Sequence, residues 1–177
     1  LLGLSRMIGG KVFPSERTKH MLMEQWHPLG TTGIITAFNF PNAVFGWNLA
    51  LNMIAGNCSI WKGSPFTPLT SIATTKIVSE VLEKNGHSAS IASCIVGGID
   101  VGKAMVADPR CNLISFTGST EVGRKVGVKV QERFGKSILE LGGNNAMIVC
   151  KDANLDMAVD GAYFGVVGTT GQRFFFF

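Results

Sequence analysis

Short apolar segments alternate along this chain with stretches of helical patterning, and this alternation restricts its fold more than any other feature. The strand candidates are residues 33–38, 58–61, 91–96, 113–116 and 146–150. Each is apolar along most of its length, which is typical of strands that are buried on both faces. Such strands joined by helices predict an α/β fold with a parallel sheet that is covered by helices on both faces.

Two of the intervening helices are clearly marked. The first has Thr67 as its N-cap and Pro68 in its first turn, and it ends at Asn85 and Gly86. Its apolar residues form one stripe: Leu69, Ile72, Ala73, Ile77 and Val81. The second has apolar residues at 122, 126, 130 and 134, and its other face holds Arg124, Lys125, Lys129, Arg133 and Lys136. We interpret this basic face as solvated surface.

The segment from Leu29 to Trp61 contains no charged side chain and is long enough to raise the question of a membrane span. Amide side chains interrupt it: Asn39, Asn42, Asn48, Asn52 and Asn57. Unpaired amides are costly in lipid, and Pro41 would break a single spanning helix. The segment therefore predicts a buried strand, a turn and a buried helix over about residues 43–55, and we expect no membrane partner.

Composition indicates one compact domain, because 46% of the 177 residues are hydrophobic and only 16% are charged. The net charge of +4 could suggest a nucleic-acid partner. However, the basic residues are dispersed among acidic ones, and the chain has a single Tyr. We therefore expect no nucleic-acid partner.

The cysteines and histidines do not have the spacing of a metal site. Cys58, Cys94, Cys111 and Cys150 lie in apolar surroundings and form no C-x-x-C pair, which predicts reduced core thiols in an intracellular protein. The histidines are far apart and are expected at the surface: His20, His27 and His87. No metal site is predicted.

Glu140 is an unusual charge, because Ile138, Leu139 and Leu141 surround it and two glycines follow. Loss of hydration there would raise the pKa of the carboxyl group and suit it to general-base catalysis. Simple strand alternation offers another interpretation, in which the two leucines face the core and Glu140 faces water. Spacing alone is compatible with both interpretations.

Ligands of parallel sheets bind beyond the carboxyl ends of the strands, so the loops there are the candidate sites. Residues 116–123, Phe-Thr-Gly-Ser-Thr-Glu-Val-Gly, open a helix and could hold a phosphate on backbone N–H groups. An ordinary capped helix start explains the same residues. Residues 97–104 approach a P-loop pattern, but Ala104 replaces the required Ser or Thr, so a P-loop NTPase is a weak alternative.

Six segments in order resemble the aldehyde dehydrogenase superfamily over the chain up to Arg173. They are residues 28–30 (Pro-Leu-Gly), 38–41 (Phe-Asn-Phe-Pro), 61–63 (Trp-Lys-Gly), 116–120 (Phe-Thr-Gly-Ser-Thr), 139–143 (Leu-Glu-Leu-Gly-Gly) and 171–173 (Gly-Gln-Arg). Further segments are similar to the antiquitin branch, the aminoadipate-semialdehyde dehydrogenases: 24–26, 35–41, 131–135 and 142–145.

The resemblance implies oxidation of a small-molecule aldehyde, such as aminoadipate semialdehyde, to a carboxylic acid with NAD through a cysteine thioester. Asn39 matches the oxyanion stabiliser of that family, and one such amide donor can contribute about 3 kcal/mol. Glu140 matches the general base. Phe174 stands where the family has its nucleophilic cysteine. Phenylalanine cannot act as a nucleophile, so this chain alone is expected to be inactive.

The resemblance also implies a dinucleotide site. Its residues are Thr36, Ala37, Phe38, Lys62, Gly102, Gly118, Ser119, Val122, Leu141 and Gly142. Lys62 would reach the adenosine ribose, with Gly118 and Ser119 at the pyrophosphate and Val122 beside the adenine. Many relatives carry a Glu three residues after the lysine, but here that residue is Pro65. NAD is the expected cofactor, and NADP stays open.

The implied architecture is a Rossmann-like cofactor domain with most of the catalytic domain missing. Residues 1–143 are predicted to form an NAD-binding domain that is partial at its N-terminus, and residues 144–173 the start of the catalytic domain. Residues 174–177 form an atypical poly-Phe tail. We expect an internal piece of a homotetrameric enzyme of the cytoplasm or mitochondria. The alternative is an inactive nucleotide-binding remnant.

Overall fold

The computed structural model describes residues 1–143 and 146–172. Its main sheet contains five parallel strands: β3 (Thr31–Ile35), β4 (Cys58–Lys62), β5 (Ala92–Ile95), β6 (Cys111–Gly118) and β7 (Lys136–Leu141). A separate antiparallel hairpin is formed by β1 (Val12–Pro14) and β2 (Met21–Met23). The helices are α1 (Leu2–Ser5), α2 (Pro41–Ile54), α3 (Pro68–Lys84), α4 (Ile99–Ala107), α5 (Thr120–Glu132) and α6 (Leu155–Val167).

The spatial order of the large sheet is β5-β4-β3-β6-β7. The chain moves outward from the central β3 through β4 to β5, then returns to pair β6 with the other side of β3. This is the order of a doubly wound sheet, and the reversal between β3 and β6 opens a crevice at their carboxyl ends. The predicted α/β fold is confirmed.

Helices cover the sheet on both faces, as the apolar strands predict. On one face α4 and α5 pack Met105, Val106, Val126 and Val130 against residues of β3 and β6 such as Ile114. On the other face α2 and α3 pack against β3, β4 and β5 through Phe45, Leu49, Leu82, Ile34, Trp61 and Ala92. These two layers fix the strand ends that carry the candidate site.

The bounds of α3 are those predicted, with Thr67 as N-cap and Asn85 as C-cap, but its predicted apolar stripe does not face the sheet. Leu69 is 80% exposed and Ile77 63% exposed. The helix packs on the sheet instead through the side that carries Ser71, Val78 and Leu82. A Cβ on Gly63 would lie only 2.1 Å from the Ser71 hydroxyl, so a bulky residue could not occupy that contact.

The strand predicted at residues 146–150 is wrong. Those residues are irregular, and Ile148 is 84% exposed. A short apolar run can extend as a strand only where a neighbouring strand pairs with its backbone, and no described strand does so here. The β1–β2 hairpin, β7 and α6 are elements that the sequence pattern did not predict.

The expectation that all four cysteines are core thiols is wrong for two of them. Cys58 and Cys150 are exposed, Cys94 is half-buried and Cys111 is buried, and all four are free. The three histidines are exposed, as predicted. Within the described ranges, no helix combines the length and apolar character needed to cross a bilayer.

Candidate functional site

The carboxyl edge of the sheet collects every predicted site residue that the structure describes. Residues 36–39 follow β3 directly, Lys62 ends β4, Gly118 ends β6 and Leu141 ends β7. The others lie in the next loop or helix: Gly102 in α4, Ser119 and Val122 at the start of α5, Gly142 after β7, and Glu140 within β7. Strand ends that were scattered in sequence therefore form one edge around the β3–β6 crevice.

Lys62 is the buried cation of this edge, with only 6% of its surface exposed. Its Nζ donates to the carbonyl of Gly63 at 3.1 Å. Burial lowers the pKa of Lys62 because desolvation disfavours the charged ammonium. Among the described residues no carboxylate lies within salt-bridge distance of it. The ammonium therefore keeps donor capacity for a ligand at the end of β4.

Gly102 lies against the aliphatic part of Lys62. A Cβ built on Gly102 would be 3.6 Å from both Cδ and Cε of the lysine, which is ordinary van der Waals contact. The first half of α4 thus packs on the lysine stem. The structure brings together two predicted residues that are 40 positions apart in sequence.

The start of α5 is an N-cap. The Ser119 hydroxyl accepts a hydrogen bond from the Val122 N–H at 3.3 Å. The other N–H groups of the first turn have no partner within the helix and can bind an anion. The structure shows the capped helix start offered for residues 116–123, and the phosphate-binding interpretation stays a prediction.

The ends of β7 and α5 are packed together. A Cβ on Gly123 would lie 2.2 Å from Cδ2 of Leu141, so the glycine lets the leucine side chain approach the helix backbone. The Thr120 hydroxyl donates to the Gly142 carbonyl at 3.4 Å. Val122, in the first turn of α5, is 44% exposed and available for contact.

Asn39 contacts a distant part of the chain. Its side-chain Nδ2 donates to the carbonyl oxygen of Gln172 at 2.7 Å. This contact joins residues 133 positions apart. Its acceptor, Gln172, lies two positions before Phe174 in the sequence. Phe174 itself and the rest of the poly-Phe tail lie outside the described residues.

Glu140 is exposed, which favours the alternation interpretation over loss of hydration in an apolar setting. Alternation explains the result: Leu139 and Leu141 pack toward the core below α5, while Glu140 points to the other face of an edge strand. Its register partner on β6 is Thr117, whose buried hydroxyl has no hydrogen-bond partner among the described residues.

Trp61 lies at this edge and was not among the predicted site residues. The indole N–H of Trp61 donates to the Thr36 hydroxyl at 2.9 Å, and both side chains are buried. The available signal was a large aromatic residue with a polar atom in an otherwise aliphatic strand, since a buried indole N–H usually has a partner.

Other candidate chemistry finds little support in the described part of the chain. It contains no group of three or more His, Cys, Asp or Glu residues that could hold a metal ion. Burial raises the pKa of the Cys94 and Cys111 thiols, which disfavours the reactive thiolate. Lys103, the lysine of the P-loop-like pattern, is exposed on α4.

Comparison with known proteins identifies what the chain resembles. The sequence profile of the aldehyde dehydrogenase family matches residues 1–174. The alpha-aminoadipic semialdehyde dehydrogenase of Rattus norvegicus is 61% identical over 171 residues, which are 97% of this chain and 32% of that protein. The chain thus spans about a third of the length of the curated relatives it matches.

Solved structures of aldehyde dehydrogenases have the same fold over this region. An enzyme from Brucella melitensis biovar abortus 2308 superposes with a TM-score of 0.90 at 32% identity, covering 98% of this chain and 35% of that one. An NAD+ complex of the enzyme from Bacillus cereus also has a TM-score of 0.90, at 26% identity, and covers 98% of this chain and 34% of that one.

Proposed function

Because the chain belongs to the aldehyde dehydrogenase family, we propose that it supplies the dinucleotide-binding part of an enzyme that oxidises an aldehyde to a carboxylic acid. NAD is the proposed cofactor, with NADP as the alternative. The proposed substrate is aminoadipate semialdehyde, which is supported by 61% identity to a rat enzyme that carries this name.

The observation that carries the proposal is the convergence of the predicted residues on the β3–β6 crevice. In doubly wound sheets this switch point is where nucleotides bind. Here it is bordered by the loop that carries Asn39, by the N-terminus of α5 and by the end of β7 that carries Glu140. No other edge of the described sheet collects candidates of this kind.

The residues present fit a dinucleotide. The N–H groups at the start of α5 suit a pyrophosphate, because they combine free donors with the positive end of the helix dipole. The ammonium of Lys62 suits the ribose hydroxyls, since it is a donor that no described carboxylate occupies. The segment 36–38 and Gly142 border the same groove.

The chain's own polar groups suit the two halves of the reaction. When bound, nicotinamide supplies a hydride acceptor. The amide of Asn39 can donate to an oxygen that gains negative charge during attack on the aldehyde. The exposed carboxylate of Glu140 can take a proton from water during hydrolysis. In this role its solvent access is useful, because the water must reach it.

The 177-residue chain is proposed to bind the cofactor without completing the reaction. Position 174, where the family resemblance calls for a cysteine, is Phe. The proposal includes the division of the chain into a cofactor domain at 1–143 and the start of a catalytic domain at 144–173. It also includes a homotetrameric whole enzyme in the cytoplasm or mitochondria.

Titration of the chain with NADH, followed by the fluorescence of the bound nicotinamide, tests the proposal. We expect saturable binding that NAD competes for, and no aldehyde-dependent formation of NADH. Absence of saturable binding by the folded chain would reject the cofactor role. Turnover of aminoadipate semialdehyde by this chain would reject the assignment of position 174 as the nucleophile position.

A further inference from the structure

Trp61 lies behind the proposed cofactor groove without being part of it. It is fully buried in β4, and its ring stacks on Phe45 of α2 with 3.9 Å between centroids and 4° between the ring planes. This stack fixes the indole between the sheet and the helix. The direction of its N–H is therefore determined by packing that does not involve any proposed ligand contact.

The N–H of Trp61 meets the hydroxyl of Thr36 at the first residue beyond β3. The indole can only donate, and the hydroxyl can accept, so each satisfies a polar atom that would otherwise be buried without a partner. Such pairing is not general in this core. Buried hydroxyls of Thr32, Ser59 and Thr117 have no partner among the described residues.

Thr36 has a second connection to the end of β4. Its backbone N–H donates to the carbonyl of Lys62 at 3.2 Å, which extends the β3–β4 pairing by one step. Thr36 is thus held by its backbone and by its side chain to two successive residues of β4. One of them is Lys62, the proposed ribose donor. Thr36 and Lys62, both proposed cofactor contacts, are therefore hydrogen-bonded to each other through their backbones.

Beyond Thr36 the chain continues through residues 37–39 along the groove. Asn39 is held at the far end by its hydrogen bond to the Gln172 carbonyl, and Phe38 makes an edge contact with Phe66. The Trp61–Thr36 hydrogen bond is the buried side-chain contact at the start of this segment. Its loss would leave Thr36 attached to β4 by the backbone hydrogen bond to Lys62 alone, since the next contacts along the segment, those of Phe38 and Asn39, are exposed.

We propose that Trp61 is a positioning residue for the cofactor groove: its indole N–H, by holding the Thr36 hydroxyl, keeps residues 36–39 in the conformation that admits the dinucleotide. This inference rests on the proposed function. Trp61 acts through Thr36 and makes no contact with the ligand itself. A buried hydroxyl left without a partner can rearrange to find one, which here would displace the groove wall.

Two substitutions separate the hydrogen bond from the packing. Trp61→Phe keeps an aromatic ring on Phe45 but removes the donor, and Thr36→Val removes the acceptor with little change of shape. Each variant is expected to raise the NADH dissociation constant at least threefold. The NADH dissociation constant of the double variant is expected to be no higher than that of the single variant with the larger effect. The second substitution has no further effect because the hydrogen bond is already lost. Trp47→Phe, at an exposed tryptophan of α2, is the control and should bind as wild type does.

The dissociation constants are measured by NADH fluorescence at a temperature where circular dichroism shows each variant to be folded. If Trp61→Phe does not fold, Thr36→Val is compared with Thr36→Ser, which keeps the hydroxyl that accepts the Trp61 N–H. A loss of affinity in Thr36→Val but not in Thr36→Ser supports the positioning role, and equal losses in both variants overturn it. A change below threefold in the folded variants overturns the positioning role, and so does a double variant whose effect equals the product of the single effects. Absence of NADH binding by the wild-type chain overturns the proposed function as well, whereas normal wild-type binding with unaffected variants overturns only this inference.

Discussion

At the scale of single residues, Lys62 is the side chain whose environment most favours ligand binding. A lysine with 6% exposure has lost most of its hydration, and its described protein partner is one carbonyl oxygen. Desolvation without a neutralising carboxylate leaves the ammonium ready for an acceptor. The hydroxyl groups of a ribose can accept hydrogen bonds from the ammonium, and they carry no positive charge that would repel it.

Replacement of Lys62 by Met should weaken NADH binding about 10- to 100-fold, because a hydrogen bond to a charged group contributes about 1.5–3 kcal/mol. Met retains most of the stem that packs on Gly102. Lys76→Met, at an exposed lysine of α3, removes the same charge from the surface and serves as control. Equal affinity of Lys62→Met and wild type in fluorescence titrations would exclude the lysine from the site.

The same residue predicts a pH dependence of stability. Burial lowers the pKa of Lys62 in the folded state below its ordinary value of 10.5. At pH values between the lowered pKa of the folded state and 10.5, the unfolded chain binds more protons than the folded chain. The folded state therefore gains stability as pH rises through this range. Urea unfolding from pH 7 to 10.5 should show wild type gaining on Lys62→Met across that window. A constant difference between the two proteins would contradict the assigned burial.

Glu140 and Asn39 illustrate what sequence could predict about single residues. The position of Asn39 just beyond a strand end follows from the strand predicted at residues 33–38, whereas β7, which carries Glu140, was not among the predicted strands. The exposure of Glu140 could not be decided from spacing, since a charged residue between leucines fits both an apolar pocket and simple alternation. The position of β7 at the end of the sheet decided in favour of simple alternation.

At the scale of elements, two helices begin with the same kind of cap but lie in different places. Ser119 caps α5 at the proposed site, and Asn154 caps α6 through a 3.1 Å hydrogen bond from the Met157 N–H. Each substitution to Ala should lower the free energy of unfolding by about 1 kcal/mol. Only the first cap lies at the proposed pyrophosphate position.

We therefore expect Ser119→Ala to weaken NADH binding and Asn154→Ala to leave it unchanged, although both lose similar stability. Urea denaturation measures the first quantity and NADH titration the second. If both variants lose affinity in proportion to their stability, the N-terminus of α5 has no special relation to the cofactor, and the anion-binding interpretation of residues 116–123 is wrong.

Elements were predictable where local signals agreed with tertiary packing. The caps and bounds of α3 follow from Thr67, Pro68 and Asn85. Its orientation does not, because both sides of the helix carry apolar residues. The side that packs on the sheet holds Ser71, Val78 and Leu82, and Ser71 makes the close contact with Gly63. The run at 146–150 failed for the opposite reason: its composition suits a strand, but no described strand pairs with it.

At the scale of the whole molecule, α6 presents an apolar surface to solvent. Leu155, Val159 and Tyr163 are spaced four residues apart on one side of the helix and are between 64% and 67% exposed. A face of this size is typical of a surface that another part of a protein covers.

The double substitution Leu155→Glu and Val159→Lys should reduce self-association of the chain with little loss of stability. Both side chains are exposed, so their replacement should change the free energy of unfolding by roughly 0.5 kcal/mol or less. Light scattering and urea denaturation measure the two effects. Val130→Lys, at a buried position of α5, is the contrasting variant and should unfold the chain. Loss of stability comparable to Val130→Lys would show that the α6 face is packed.

The sequence by itself determined the alternation of strands and helices, the parallel sheet, and the order along the chain of the segments that carry Asn39, Gly118 and Glu140. These follow from hydrophobic periodicity and turn chemistry, which act over a few neighbouring residues. Tertiary structure alone decided the contacts between distant positions, such as Trp61 with Thr36 and Asn39 with Gln172. Those contacts depend on strand order and register, because pairing β3 between β4 and β6 determines which side chains meet, and no local pattern encodes that pairing.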